Sequence, residues 1–316
     1  MIKTGIHSLS QLVGNPRLKS VLGRDLLISA ALYDQILDFP NADALAERIL
    51  LFLSDERGVY KRTYAHRFED FDAHLLQLMA GHFDPQAPLI LGDVAVSDGR
   101  TACDLFERLA LTFQKLTYFA SDFAPGVRVL EQGRLTVVLS RNNRLLQMVW
   151  PPFVFNVTSP ESALYYPLNR LIRMLVKSAL VDPLVAKYLG GQVQSREVPL
   201  FSVRALNLAR QDARFHLGEQ NILEPLVTPE PLHIVRAMNV LNASYFTQED
   251  LNQILGNFHA ALGAGGWLVT GYNEDAGSQV HGAIFRKADA GFERIWESGH
   301  GPQMQDRILA WAPPRS

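Results

Sequence analysis

A single cysteine, Cys103, stands in 316 residues, so no internal disulfide can form and no thiolate-built metal site is on offer; that scarcity fits a reducing compartment. Excess charge of either sign is missing too. Thirty Lys and Arg against 32 Asp and Glu leave a formal net charge of -2, without the broad basic surface on which nucleic acid or anionic lipid docks. No apolar run approaches the ~20 residues of a membrane span, and the opening MIKTGIHSLSQL lacks the apolar core of a secretory signal. The histidines keep no metal-ligand spacing such as H-E-x-x-H, and there is neither an internal repeat nor a low-complexity tract. These absences lead to the expectation of a cytoplasmic protein with no metal, no nucleic-acid partner and no membrane contact. Apolar side chains are plentiful: a composition 47% hydrophobic can bury a large core, as one big domain or one domain with an appendage.

Through the first eighty residues the apolar positions recur at helical intervals of three and four. LKSVLGRDLLISAALYDQIL, NADALAERILLFLSDE and YAHRFEDFDAHLLQLMAGHF predict three helices, with Asn41 as N-cap of the second and Asp43 in its first turn. Residues 1–84 are therefore expected to form an N-terminal helical bundle or lid. From LILGDVAV onward the rhythm changes. KLTYFAS, ARFHLG, HIVRAMNVL and WLVTGY read as strands, Thr101 with Asp104 reads as a capping box for the helix after the first turn, and TQED opens a helix that closes near GAGG. Strands alternating with helices predict an α/β domain over 85–316, its mostly parallel sheet doubly wound with helices on both faces. AIFRK and FERIWES, joined by ADAG, predict an antiparallel edge hairpin. Residues 127–200 interrupt this pattern: RLTVVLS and LLQMVWPPFVF flank RNNR as a hairpin, and helices follow from Ser159 with Pro160 in the first turn. This stretch is too long for a simple connection and is expected to be an inserted hairpin and helical subdomain.

Ligands of an open parallel sheet sit outside the carboxyl ends of its strands. The first strand ends in Asp93, followed by Ala95, Ser97 and Gly99, and the second ends in Asp122, which lies 23 residues beyond Gly99 (122 minus 99). That interval is near the ~20 between a nucleotide-binding turn and the acid that takes a ribose hydroxyl pair. A carboxylate suits the task because it accepts two hydrogen bonds at once from vicinal hydroxyls; capping the next turn is the other role open to Asp122. The turn has one glycine where G-x-G-x-x-G has three, and no phosphate-cradling lysine. A nucleoside ligand without phosphates fits such a turn better than a dinucleotide does.

Here the chain resembles the class I S-adenosylmethionine-dependent methyltransferases, whose first strand ends in an acid followed by a small-residue turn. FHLGEQNILEP is similar to the family's segment in which a polar residue and the apolar one after it bracket the adenine, here Asn221 and Ile222 following Gln220. HIVRAMNVLNASYF, TQEDLNQILGNFHAAL and GAGGWLVTG are similar to its fourth strand, the next helix and its fifth strand. Ser97 and Gly99 in the first turn, Asn221 in place of the usual Asp, and MNVLNASYF most resemble the chemotaxis receptor methyltransferases within that superfamily. The similarity covers residues 85–125 and 205–290. Met238 departs from that subfamily's arginine before Asn-Val-Leu, and the 127–200 insert falls where most class I enzymes have a short connection, so a receptor-glutamate substrate is not implied. The resemblance implies a Rossmann-like fold and S-adenosylmethionine as cofactor. It implies Asp93, Ala95, Ser97, Gly99, Asp122, Gln220, Asn221, Ile222 and Asn239 as contacts, with Asp122 on the ribose and Asp93 shaping the turn or meeting the ligand's ammonium.

Transfer from a sulfonium is an in-line displacement: the protein aligns nucleophile, carbon and sulfur and excludes water, adding a base only where the nucleophile must lose a proton. By position MNVLNASYF lines the acceptor side with Asn239, Asn242 and Tyr245, while Phe246 reads as core. A buried amide at a strand end needs partners, which favours a working role for Asn239. GYNEDAGSQVHG offers Tyr272, Glu274, Asp275 and His281, of which only His281 titrates near neutrality unperturbed. Asn239, Tyr245 and His281 are thus the candidate catalytic set. Tyr60, Tyr64, Trp150, Tyr165 and Tyr166 in the two appendages are candidates for a wall around the substrate, since aromatic faces help hold a cation. The leading expectation is a methyltransferase acting on a small-molecule acceptor in specialised metabolism. Two alternatives stay open: a cyclase that expels methylthioadenosine and closes a four-membered, azetidine-2-carboxylate-type ring, and a non-catalytic module that binds S-adenosylmethionine. Oligomeric state is not set by the sequence.

Overall fold

The computed structural model describes residues 4–13, 26–39, 41–53, 66–157, 166–273 and 279–313. In chain order the strands are β1 (Leu89–Val94), β2 (Leu116–Asp122), β3 (Gly126–Gln132), β4 (Leu135–Leu139), β5 (Leu145–Trp150), β6 (Phe153–Asn156), β7 (Arg196–Pro199), β8 (Phe215–Glu219), β9 (Leu232–Met238), β10 (Leu262–Tyr272), β11 (His281–Ala288) and β12 (Gly291–Ser298). The α-helices are α1 (Leu9–Val13), α2 (Ala42–Phe52), α3 (Glu69–His82), α4 (Arg100–Thr112), α5 (Pro167–Val176), α6 (Asp182–Leu189), α7 (Val203–Gln211), α8 (Gln248–Ala261) and α9 (Gln305–Ala310). The chain divides into two compact units, one of residues 63–123 and 204–316, the other of residues 1–62 and 124–203.

The first unit is built on a seven-stranded sheet of order β12-β11-β10-β9-β1-β2-β8. Strands β8, β2, β1, β9 and β10 are mutually parallel, and β11 and β12 form the expected antiparallel edge. Taken in chain order, the five parallel strands run 3-2-1-4-5, the Rossmann-like doubly wound order, which reverses between β1 and β9, the point at which open sheets of this kind bind ligands. All six residues of β1 are buried, as a strand covered on both faces requires. Helix α8 begins with the capping box that TQED predicts: Thr247 Oγ1 accepts from the Asp250 amide, and Asp250 Oδ2 accepts from the Thr247 amide. Its buried stripe, Leu251, Ile254, Leu255 and Phe258, packs in one core cluster with Val235, Leu268 and Phe285. Thr101 and Asp104 form no such box. Helix α4 starts instead from Gly99, whose φ of 81° only glycine adopts without strain, and Asp104 Oδ2 accepts from the His66 amide at 2.7 Å.

Helix α3 belongs to the sheet unit, where the sequence reading groups it with everything before residue 84. Its buried Phe71, Leu75 and Met79 and the edge-on contact of Phe71 with Trp296, 5.3 Å between ring centres, account for that membership. Residues 1–62 join the inserted segment in the second unit. There the hairpin β4–β5 sits in a five-stranded antiparallel sheet of order β6-β5-β4-β3-β7, with Leu184, Val181 and Val176 packed against Val137, Met148 and Phe155. The Ala30 amide donates to Gln147 Oε1 at 2.8 Å, and Tyr33 Oη donates to the Phe201 carbonyl at 2.7 Å, tying the early segment to this sheet. Asn41 stands at the N-cap of α2 without a side-chain cap bond, and the described end of the first predicted helix is a 3₁₀ turn, Ala30–Gln35. The predicted start at Ser159 and Pro160 lies outside the described residues; α5 begins with Pro167 in its first turn.

Candidate functional site

The turn after β1 is wound by alternating handedness. Ala95, Ser97 and Gly99 have φ of 57°, 59° and 81°, and a non-glycine residue in the left-handed region costs about 1 kcal/mol or more. Its own hydrogen bonds hold that strain. The Val96 amide donates to Ser121 O at 3.1 Å, the Gly99 amide to Val96 O at 3.0 Å, and the Ser97 amide to Asp122 Oδ2 at 2.8 Å. Three amides of the turn are thus turned inward, whereas a phosphate-binding loop offers its amides to the ligand. The bond from Ser97 also brings the ends of β1 and β2 together around the half-buried Asp122 carboxylate.

Asp93 does not stand open at the strand end. Its Oδ2 accepts from Tyr118 Oη at 2.6 Å and from Arg236 Nη1 at 2.9 Å, and Arg236 Nη2 reaches both oxygens of Asp72 at 3.0 and 3.1 Å. All four groups are buried, Arg236 to 1% exposure. Burial pushes Asp72 up to about 6 and raises Asp93 as well, against the pull of Arg236. Tyr118 is raised well above the tyrosine range by burial and by the Asp93 charge. The ligand-ammonium role expected for Asp93 is therefore replaced by a structural one: a carboxylate already shared by a phenol and a guanidinium. The buried thiol of Cys103, pushed up to about 12 by desolvation, is no nucleophile.

Asn239 closes β9 in the left-handed region, φ 57°. Its amide donates to Gly271 O at 2.8 Å, its Oδ1 accepts from the Asn273 amide at 3.1 Å, and its Nδ2 donates to Asn273 Oδ1 at 3.2 Å. Arg67 Nε also donates to Asn273 Oδ1, at 2.6 Å. Arg67 and Asn273 escaped the sequence reading. Asn273 sits in the GYN triplet, but nothing in residues 66–72 marks them as neighbours of strand ends more than 160 positions later.

The remaining candidates are scattered. Gln220, Asn221 and Asn242 bond to their own loops: Gln220 Nε2 donates to Asn221 O at 2.9 Å, while Asn221 Oδ1 and Asn242 Oδ1 accept the amides of Leu223 and Ser244 at 3.1 and 3.0 Å. The bonds at Asn221 and Asn242 are Asx turns, which fix loop shape. Ile222 is buried in the core cluster with Val235 and Leu251, and Phe246 packs on the same cluster as expected. Tyr245 is 47% exposed. His281 accepts the His300 amide at Nδ1, 3.1 Å, and stacks on the His300 ring at 5.0 Å. That bond occupies Nδ1 of the expected general base. Trp150 and Tyr166 belong to the second unit, Trp150 at the end of β5 and stacked on Phe153, Tyr166 at the N-cap of α5. Tyr60, Tyr64, Tyr165, Glu274 and Asp275 lie outside the described residues. Among the described residues no three His, Cys, Asp or Glu gather as a metal set, and no helix is long and apolar enough to cross a membrane.

No protein-family model matches the sequence, and no curated protein matches it either. Among solved structures the chain is similar to the N-methyltransferase NodS of Bradyrhizobium japonicum WM9, 13% identical over 66% of this chain and 69% of that one, with a TM-score of 0.33. It is similar to an S-adenosylmethionine-dependent methyltransferase from Clostridium acetobutylicum ATCC 824, 9% identical over 77% and 78% of the two chains, TM-score 0.31. A third is an O-methyltransferase family protein from Burkholderia thailandensis, 13% identical over 83% and 51%, TM-score 0.28. At these scores, what the strand ends bind has to be argued from their own geometry.

Proposed function

We propose that this chain is a class I S-adenosylmethionine-dependent methyltransferase that acts on a small-molecule acceptor, in a cytoplasmic pathway of specialised metabolism. One observation carries the reading: at the switch point of a 3-2-1-4-5 sheet, the turn after β1 spends three amides internally and is fastened to the acid that ends β2. A pyrophosphate needs those amides; an adenosyl group needs a carboxylate for its ribose and a close, small-residue turn. The residues present fit the second ligand. Asp122 would take the ribose, Ala95, Ser97 and Gly99 would line the turn, the loop shaped by Gln220 and Asn221 would flank the adenine, and Asn239 would face the methionyl side. When bound, the cofactor supplies an electrophilic methyl on a sulfonium.

The chain's own part is to bind, orient and keep water out. Asn239 and Asn273 supply fixed amide dipoles at the ends of β9 and β10, and Tyr245 supplies an aromatic face on the acceptor side. Ser97, Gly99 and Asn221 support kinship with the chemotaxis receptor methyltransferases, while Met238 sets the acceptor apart from a receptor glutamate.

Calorimetric titration with S-adenosylhomocysteine tests the reading. The wild type is expected to bind, and Asp122→Ala to lose affinity by about a hundredfold, the scale of losing two charge-assisted hydrogen bonds, while losing no more than about 1 kcal/mol of stability with the Ser97 amide bond. Undiminished affinity in Asp122→Ala would overturn it.

A further inference from the structure

We propose that Arg67, which precedes the first sheet strand by more than twenty positions, is a positioning residue of the site, acting through Asn273 to hold Asn239 in its left-handed conformation; this rests on the methyltransferase reading of that site. Asn tolerates φ of 57° better than most residues, yet the conformation persists only where surroundings over-determine it. Here the determinants form a chain. Asn239 is clasped to Asn273 from both ends of its amide, and Asn273, 5% exposed, receives Arg67 Nε at 2.6 Å on the same Oδ1 and Arg67 Nη2 at 3.5 Å on its carbonyl. The bond from the guanidinium is charge-assisted and the stronger of the two at that oxygen. Arg67 is itself placed by its neighbours. His66 is fixed by its amide bond to Asp104, Asp72 by its ion pair to Arg236, and Phe68 lies under both guanidinium groups, 5.6 Å from that of Arg67 and 5.2 Å from that of Arg236. The short run 66–72 thereby connects α3 to the ends of β9 and β10, where an acceptor and the methionyl part of the cofactor would meet.

A double-mutant comparison reads this link directly. Glycine adopts the left-handed region freely, so Asn239→Gly removes both the strain and the clasp. In the wild-type background, Arg67→Ala is expected to weaken S-adenosylhomocysteine binding by about tenfold, and in the Asn239→Gly background by less than about twofold, because the coupled pair no longer exists. Equal losses in both backgrounds, or none in the first, would overturn the proposal. Arg67→Lys keeps the charge but not the two-point grip; it is expected to fall between wild type and Arg67→Ala, and carries the same comparison if the alanine variant does not fold. Exchange of the residue 239 amide, which donates to Gly271 O, reads the link without any ligand: about tenfold faster in Arg67→Ala if the hold is real, unchanged if it is not. A wild type that fails to bind S-adenosylhomocysteine would sink the methyltransferase reading, and the exchange rate would still decide the role of Arg67.

Discussion

One guanidinium between two carboxylates leaves a negative charge over in the interior of the sheet, and Asp72 is where it tells. Desolvation outweighs the attraction of Arg236 and puts the Asp72 carboxyl at about 6, above its ordinary value of 3.8. In this pH range the folded protein therefore binds a proton that the unfolded chain releases, so the contribution of Asp72 to stability is fullest below about 4 and declines as pH rises through 6. Measured by denaturant unfolding at pH 4.5 and 7.5, the wild type is expected to gain stability relative to Asp72→Asn at the lower pH. A gain at the higher pH would mean that Asp72 stays ionised against Arg236 throughout. The same cluster marks a limit of sequence reading at this scale. Asp93 and Arg236 are direct partners in the β1–β9 register, but they stand 143 positions apart, and an acid at a strand end looks alike whether it faces a ligand or a neighbouring strand. Asp122 is marked in the sequence by a local interval, 23 residues beyond Gly99 (122 minus 99), whereas Arg67 meets Asn273 only across 206 positions.

Elements whose signals are local came through well. The capped helix after β9, the five parallel strands and the edge hairpin can be read from spacing and cap chemistry, since Thr247 with Asp250 and the apolar runs act within a few residues. Helix α4 shows how a local signal can mislead. Thr101 and Asp104 have the spacing of a capping box, but Gly99 ends the preceding turn in the left-handed region and caps the helix two residues earlier, while Asp104 is drawn away to His66 and Arg204. Strands β3 and β7 were missed because four to seven residues of mixed character become a strand only through pairing, here Val127 with Val198. The working cap on α8 gives a test at this scale. Thr247→Ala removes one half of a reciprocal pair and is expected to lower stability by about 1 kcal/mol; Thr247→Ser keeps the hydroxyl and should lose only a few tenths. If both cost the same, the hydroxyl is not what caps the helix.

At the scale of the whole molecule, the chain crosses between its two units after residues 62, 123 and 203. The insert alone is thus not the second unit. It is completed by the first sixty residues, whose Ala30 and Tyr33 bonds run to Gln147 and Phe201, 117 and 168 positions away. Periodicity assigned those residues and α3 to one bundle because helical spacing says nothing of which surface a helix will cover. The reaction is likewise a property of the whole chain and must be asked of it intact. An acceptor-dependent transferase aligns two ligands, so S-adenosylmethionine alone should be bound and left unchanged. Incubation of the pure protein with methyl-labelled S-adenosylmethionine, followed by separation of the nucleosides, is expected to yield no methylthioadenosine. Addition of small-molecule fractions should then release S-adenosylhomocysteine in step with label entering a low-mass product. Methylthioadenosine formed without any acceptor would replace transfer by intramolecular cyclisation, in which the ligand's own amine displaces the thioether. Binding with no nucleoside released under either condition would leave a module that holds the cofactor and does no chemistry on it.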